Sequence, residues 1–223
     1  MIIKFAIKGI LIITTVSVAV VIVALVVLGP NKLISIYNKT RPHLITGGGE
    51  TCLTELSNRG VTFTSLGDRL TDACLVKDAV QVSEFSLTKI NAPVTLNCNT
   101  ALKLDKWLNE MKAYNVEHFG AYNCRAMRGS PIMSEHSFGN AIDIAAINGV
   151  SVLSDWNSQG SKSDFIKSAA EKACDYFSNV ITPAHNELHR DHLHLDRGYG
   201  TTCLPSAVQY LERLTIHAVA SFL

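Results

Sequence analysis

Two short stretches concentrate the residues able to do chemistry: Ser134-Glu-His-Ser-Phe-Gly-Asn-Ala-Ile-Asp143 and His189-Arg-Asp-His-Leu-His194. In the first, His136 falls in a loop, Gly139 permits a tight turn, and Asp143 follows on a strand. Strand alternation puts Asp143 on the face of Ala141 and Ala145, while Ile142 and Ile144 point the other way into the core. A carboxylate in that position is costly to bury unless it is paired or binds a metal. In the second stretch His192, His194 and Asp196 share one strand face, and Leu193 and Leu195 the other. Histidines joined by a carboxylate, with a fourth position left for water, are the composition of a catalytic zinc site. The expectation is one Zn²⁺ site built from both stretches.

Other side chains fit around such a site. Arg125 or Arg128 could stabilise an oxyanion or clamp a substrate carboxylate, because a guanidinium fork matches a carboxylate in bidentate fashion. Arg125 follows Cys124 and is the more rigidly held of the two. Ser134 lacks the GxSxG elbow of a serine nucleophile and is expected to give a supporting hydrogen bond. His185 and His189 are surface or supporting residues on this reading, and Glu135 and His118 are solvated. No CxxC pair is present, which argues against a thiolate zinc site.

Residues 52 to 203 resemble the bacterial extensin-like C-terminal domain family. The resemblance runs through Gly60-Val-Thr-Phe63, Cys74, Thr95-Leu-Asn-Cys98, Asn123-Cys-Arg125, Ser134-Glu-His136, Gly139-Asn-Ala-Ile-Asp-Ile144 and His189-Arg-Asp-His-Leu-His-Leu-Asp196. The last motifs are also similar to those of the zinc D-alanyl-D-alanine carboxypeptidases and penicillin-insensitive murein endopeptidases, Ser-x-His-x2-Gly-x3-Asp and His-x-Asp-His-x-His. That likeness implies His136, Asp143 and His194 as zinc ligands and His192 as the general base. The carboxypeptidase branch would instead put Asp191 in the base position; alternation turns Asp191 away from the face of His192 and His194, unless the strand begins after it, and favours His192. Asp191 or Asp196 could then take the outer N–H of a ligating histidine. The implied activity is hydrolysis of amide bonds in peptidoglycan stem or cross-link peptides at D-amino-acid linkages. The alternative is a non-catalytic cell-wall-binding or scaffold module that retains the zinc site. The tryptophans that often precede the last motif of the murein peptidases are replaced here by Asn186-Glu-Leu-His189, so the substrate pocket is expected to differ.

These motifs need a scaffold. Leu104, Trp107, Leu108 and Met111 recur at helical spacing and predict an amphipathic helix over 101–114 with Thr100 as N-cap. Phe165, Ala169, Ala173, Tyr176 and Phe177 predict a second helix over 163–177, and residues 141–147 and 192–196 alternate as strands. Helices and strands without a βαβ rhythm predict an α+β domain, with a small antiparallel sheet carrying the zinc site between flanking helices.

The rest of the chain places this domain. Residues 9–28 are twenty positions without a charge, long enough as a helix to span roughly 30 Å of hydrocarbon. With no small-x-small cleavage site after it, the run is expected to be an uncleaved anchor. The divisions expected are a transmembrane anchor over 1–29, a linker over 30–51, the zinc domain over 52–204 and a terminal helix over 205–223. All six cysteines lie beyond the anchor, and their even number predicts three disulfides in an oxidising compartment. Sequential proximity suggests Cys52 with Cys74, Cys98 with Cys124 and Cys174 with Cys203. The expected setting is therefore the inner membrane, single-pass, with the domain in the periplasm. Beyond the two lysines of the first eight residues the chain has 18 basic and 19 acidic side chains, which gives no charge basis for binding nucleic acid.

Overall fold

The computed structural model describes residues 27–44, 47–71, 74–198, 200 and 202–203. Its helices are α1 (Pro30–Leu44), α2 (Gly49–Asn58), α3 (Cys98–Glu110), α4 (Val152–Asp155) and α5 (Ser161–Ala173). Its strands are β1 (Thr62–Thr71), β2 (Cys74–Glu84), β3 (Lys89–Asn97), β4 (Asn115–Gly120), β5 (Ala141–Ile147), β6 (Val150–Ser151), β7 (Asn179–Ile181) and β8 (Leu193–Asp196), with 3₁₀ turns at Glu135–Phe138 and Glu187–His189.

The α+β class is as expected, but the sheet is neither small nor wholly antiparallel. It has eight strands in the order β1-β2-β3-β4-β5-β8-β7, with β6 against β5. Strands β3 and β4 run parallel, through Lys89 with Asn115 and Ile90 with Val116. The physical reason is α3: a helical crossover between two strands returns the chain in the direction it came from, which a tight hairpin cannot do.

Helix α3 begins earlier than its apolar spacing predicts. The cap is Asn97, whose side-chain oxygen accepts from the Thr100 N–H, so Thr100 is a donor in the first turn and not the cap. Leu104, Trp107 and Leu108 are fully buried. The Trp107 indole N–H donates to the Ala169 carbonyl at 3.1 Å, and its ring meets Phe177 edge-on at 6.4 Å. Helix α5 stops at Ala173, where the Tyr176 and Phe177 N–H groups both donate to the Ala173 carbonyl. This turn brings Cys174 to Cys203. The two helices share one hydrophobic cluster with Ile142, Ile144, Leu193 and Leu195. Each such side chain contributes about 1.5–3 kcal/mol on burial.

Three disulfides form, but two of the expected pairs are wrong: the bridges are Cys52–Cys98, Cys74–Cys124 and Cys174–Cys203. Cys52 lies in α2 and Cys98 opens α3, so a bridge between them ties two helices together. Cys74 begins β2 and reaches the loop after β4, which carries Cys124. His118, expected at the surface, is 7% exposed, and its Nε2 bonds to the Ala92 carbonyl at 2.9 Å. It lies on the inward side of β4 with Val116.

Residues 30–51, expected as a linker, carry α1 and the start of α2. Asn38 of α1 donates to the Pro131 carbonyl at 2.8 Å and accepts from the Met133 N–H at 3.0 Å. The expected anchor lies outside the described residues apart from Val27, Leu28 and Gly29, and the expected terminal helix lies wholly outside them. Among the described residues no helix is long and apolar enough to cross a membrane.

Candidate metal centre

Strands β5 and β8 pair so that Asp143 lies directly across from His194, with Ile142 across from Leu195 and Ile144 across from Leu193. One register thus puts four aliphatic side chains on the core face and the carboxylate beside the imidazole on the other.

His136 arrives from a loop. Ser134 caps its 3₁₀ turn, the Ser134 hydroxyl accepting from the His136 N–H, and Gly139 ends it in the left-handed region at φ 62°. A Cβ at Gly139 would lie 2.7 Å from the Asn97 backbone nitrogen, which itself donates to the Gly139 carbonyl at 2.8 Å. Only glycine satisfies both the backbone angle and this contact. The preceding loop is held by Cys74–Cys124, by the Ser137 hydroxyl donating to the Arg125 carbonyl at 2.7 Å, and by a bridge between Ala126 and Met133.

Three atoms converge. His136 Nε2 is 3.2 Å from His194 Nδ1, His194 Nδ1 is 2.9 Å from Asp143 Oδ1, and His136 Nε2 is 3.3 Å from the same oxygen. A tetrahedral ion with arms of about 2.0–2.1 Å has edges of about 3.3 Å between neighbouring ligand atoms. The set therefore fits a small tetrahedral cation with only slight outward adjustment, and these three residues could hold a metal.

The outer nitrogens fit as well. His136 Nδ1 donates to the Ala121 carbonyl at 2.5 Å, and that assignment follows because a carbonyl can only accept. His194 Nε2 donates to Asp196 Oδ2 at 3.0 Å. The inner nitrogens, His136 Nε2 and His194 Nδ1, consequently face the cluster, where an ion would displace the protons they share with Asp143, while each ring passes its other N–H outward as a ligating histidine does. Asp196 is 4% exposed, and its Oδ1 accepts from Asn179 Nδ2 at 2.8 Å and the Gly198 N–H at 2.7 Å.

His192 stands beside these three. Its Nδ1 donates to Asp191 Oδ1 at 2.8 Å, and its Nε2 is 3.7 Å from Asp143 Oδ1. Strand β8 begins only at Leu193, so alternation does not govern Asp191, whose carboxylate orients the His192 ring. His189, assigned no direct part by its spacing, joins the group, with its ring 5.0 Å from His192 and 5.8 Å from His194. Neither candidate arginine touches the cluster: the Arg125 guanidinium bonds to the Ala126 carbonyl, and Arg128 is exposed on the same loop.

The electrostatics are those of a concentrated ion-pair site. Burial would raise the Asp143 carboxyl, but hydrogen bonds from His136 and His194 overcome it and hold the group well below the usual carboxylate range. Burial opposes charge on His194 too, yet its bonds to Asp143 and Asp196 push it up to about 9. His189 is pushed down to about 4 by burial, with repulsion from His192 and His194 adding to it.

Among known families, the model of the extensin-like protein C-terminus matches residues 50–204. No curated protein and no solved structure matches the chain.

Proposed function

The chain belongs to the extensin-like protein C-terminus family, and from that premise we propose that it is a zinc-dependent peptidase hydrolysing amide bonds in peptidoglycan stem or cross-link peptides at D-amino-acid linkages. The observation that carries this reading is the meeting of His136 Nε2, Asp143 Oδ1 and His194 Nδ1 within 3.3 Å of one another, each histidine anchored through its outer nitrogen. The motif likeness to the murein carboxypeptidases and endopeptidases supports the substrate class.

In this reading His136, Asp143 and His194 hold Zn²⁺, which supplies polarisation of the carbonyl and a more acidic water. His192 does the proton work. With Nδ1 tied to Asp191, its Nε2 accepts the proton of the attacking water and later delivers it to the leaving amine nitrogen. Asp191 fixes the tautomer and supports the positive charge that His192 acquires. Arg125 or Arg128 would meet the substrate carboxylate only after reorientation of an exposed side chain. The compartment belongs to the same proposal: the apolar run over 9–28 and three disulfides suit a domain held in the periplasm by an inner-membrane anchor.

The test is metal analysis of the full chain together with digestion of purified sacculi, for wild type, His136→Ala and His192→Ala. His136→Ala should lose zinc; His192→Ala should keep it and lose turnover by about 100-fold or more. Zinc loss in both variants refutes the base assignment. Bound zinc with no released muropeptides favours a non-catalytic cell-wall-binding module, and absence of zinc refutes the metal site.

A further inference from the structure

Strand β4 departs from regular pairing beside the metal cluster. His118 pairs with Ile144 and Gly120 with Asp143, which leaves Phe119 as an extra residue in a bulge. Gly120 allows the distortion at φ 133°. Val116 and His118 turn into the core, so Phe119 rises from the opposite face, the face that carries Asp143 and His194. It is 63% exposed, and its ring meets the His192 ring edge-on at 5.8 Å between centroids.

Bulges re-aim side chains, and an aromatic ring this exposed leaves a large apolar surface in water. Single exposed apolar residues are common and need no explanation on their own. Here the second observation is the contact with the residue that carries the proton chemistry. Whatever covers Phe119 lies against His192, the side chain assigned the proton transfer.

We propose that Phe119 is a specificity-determining residue, the wall of a subsite that takes the small apolar side chain directly flanking the scissile amide. In the substrates named above, on which this inference rests, that group is an alanyl methyl. His192 lies between Phe119 and His189, the last residue of the Asn186-Glu-Leu-His189 segment that replaces the tryptophans of the murein peptidases. Phe119 on β4 is an aromatic ring beside His192, whereas the loop before the final motif offers no aromatic side chain other than His185 and His189.

The experiment uses the zinc-loaded full chain in detergent, as wild type, Phe119→Ala and Phe119→Leu. The probes are an acylated D-alanyl-D-alanine peptide and its two analogues with glycine on either side of the scissile bond. Wild type should prefer alanine over glycine at one of the two positions by about tenfold in kcat/KM, the discrimination expected for one methyl-sized group in an apolar site. Phe119→Ala should abolish that preference with zinc content unchanged, and Phe119→Leu should keep part of it. Calorimetric dissociation constants for the same peptides make the test independent of turnover. A methyl preference in binding that depends on Phe119, without cleavage, upholds the subsite and refutes the peptidase reading. Cleavage whose alanine-to-glycine ratio is the same in wild type and Phe119→Ala overturns the subsite and leaves that reading intact. Absence of any methyl preference in rate and in binding also overturns it, as does a Phe119→Ala defect confined to glycan-bearing muropeptides.

Discussion

Replacing Asp196 by asparagine changes one atom of a buried carboxylate and should weaken zinc binding without removing a ligand. In the native protein Oδ2 accepts from His194 Nε2, while Oδ1 accepts from both Asn179 and Gly198. Asparagine can satisfy one side only. If its oxygen faces Asn179 and Gly198, its NH₂ faces His194 and drives the ring proton to Nδ1, the atom that points at the cluster. If the amide turns over, its NH₂ faces two donors and leaves buried N–H groups unpaired. Either arrangement costs about 1–3 kcal/mol, or about 5- to 150-fold in dissociation constant at 1.4 kcal/mol per decade. That span contains the 10- to 100-fold usual for removing a carboxylate behind a metal-bound histidine. Competition against a chromophoric chelator measures the affinity, and thermal unfolding of chelator-treated protein measures the fold separately. Wild-type zinc affinity in Asp196→Asn, alongside loss of zinc in His194→Ala, would refute ligation by Nδ1 with Nε2 held on Asp196.

Two further outcomes follow from the scaffold. The Cys74–Cys124 bridge spans 50 residues, and its removal in Cys74→Ala/Cys124→Ala should cost about 4 kcal/mol by loop entropy; denaturant unfolding should show this loss, and zinc should bind more weakly because the loop presenting the Ala121 carbonyl to His136 is freed. Glu110 bonds Lys172 at 2.9 Å and the Tyr176 hydroxyl at 2.8 Å; the Lys172 bond, with Tyr176 second, holds its carboxyl below the ordinary value of 4.5. A carboxyl lowered in the folded state contributes stability present above that value and lost as pH falls through the folded one. The small advantage of wild type over Glu110→Gln in thermal unfolding at pH 7 should therefore shrink as pH drops below 4.5; a gap that is constant with pH would mean that the ion pair contributes nothing.

Short-range pattern made the principal site residues legible before any fold was known. Alternation over 141–147 and 193–196 separates Asp143 and His194 from Ile142, Ile144, Leu193 and Leu195, and the structure keeps that separation. The same pattern says little about β1 to β4, where register shifts interrupt β1 with β2, β2 with β3 and β4 with β5. Each shift moves later side chains to the other face, so a period-two template loses its phase. The bulge that exposes Phe119 is one such interruption.

What the sequence by itself determined is chemical identity and local phase: two histidines and a carboxylate presented by strand and turn, cysteines enough for three bridges, and helices whose apolar stripes must be covered. Partners distant along the chain were decided by tertiary structure alone. Cys52 bonds Cys98 and not Cys74, because α2 packs against α3 and brings the two thiols together. His136 finds the Ala121 carbonyl and His194 finds Asp196, while Asn179 supports that carboxylate from another strand. Such choices depend on register, crossover direction and loop closure, which arise from the packing of the whole domain and leave no periodic trace in any short window of residues.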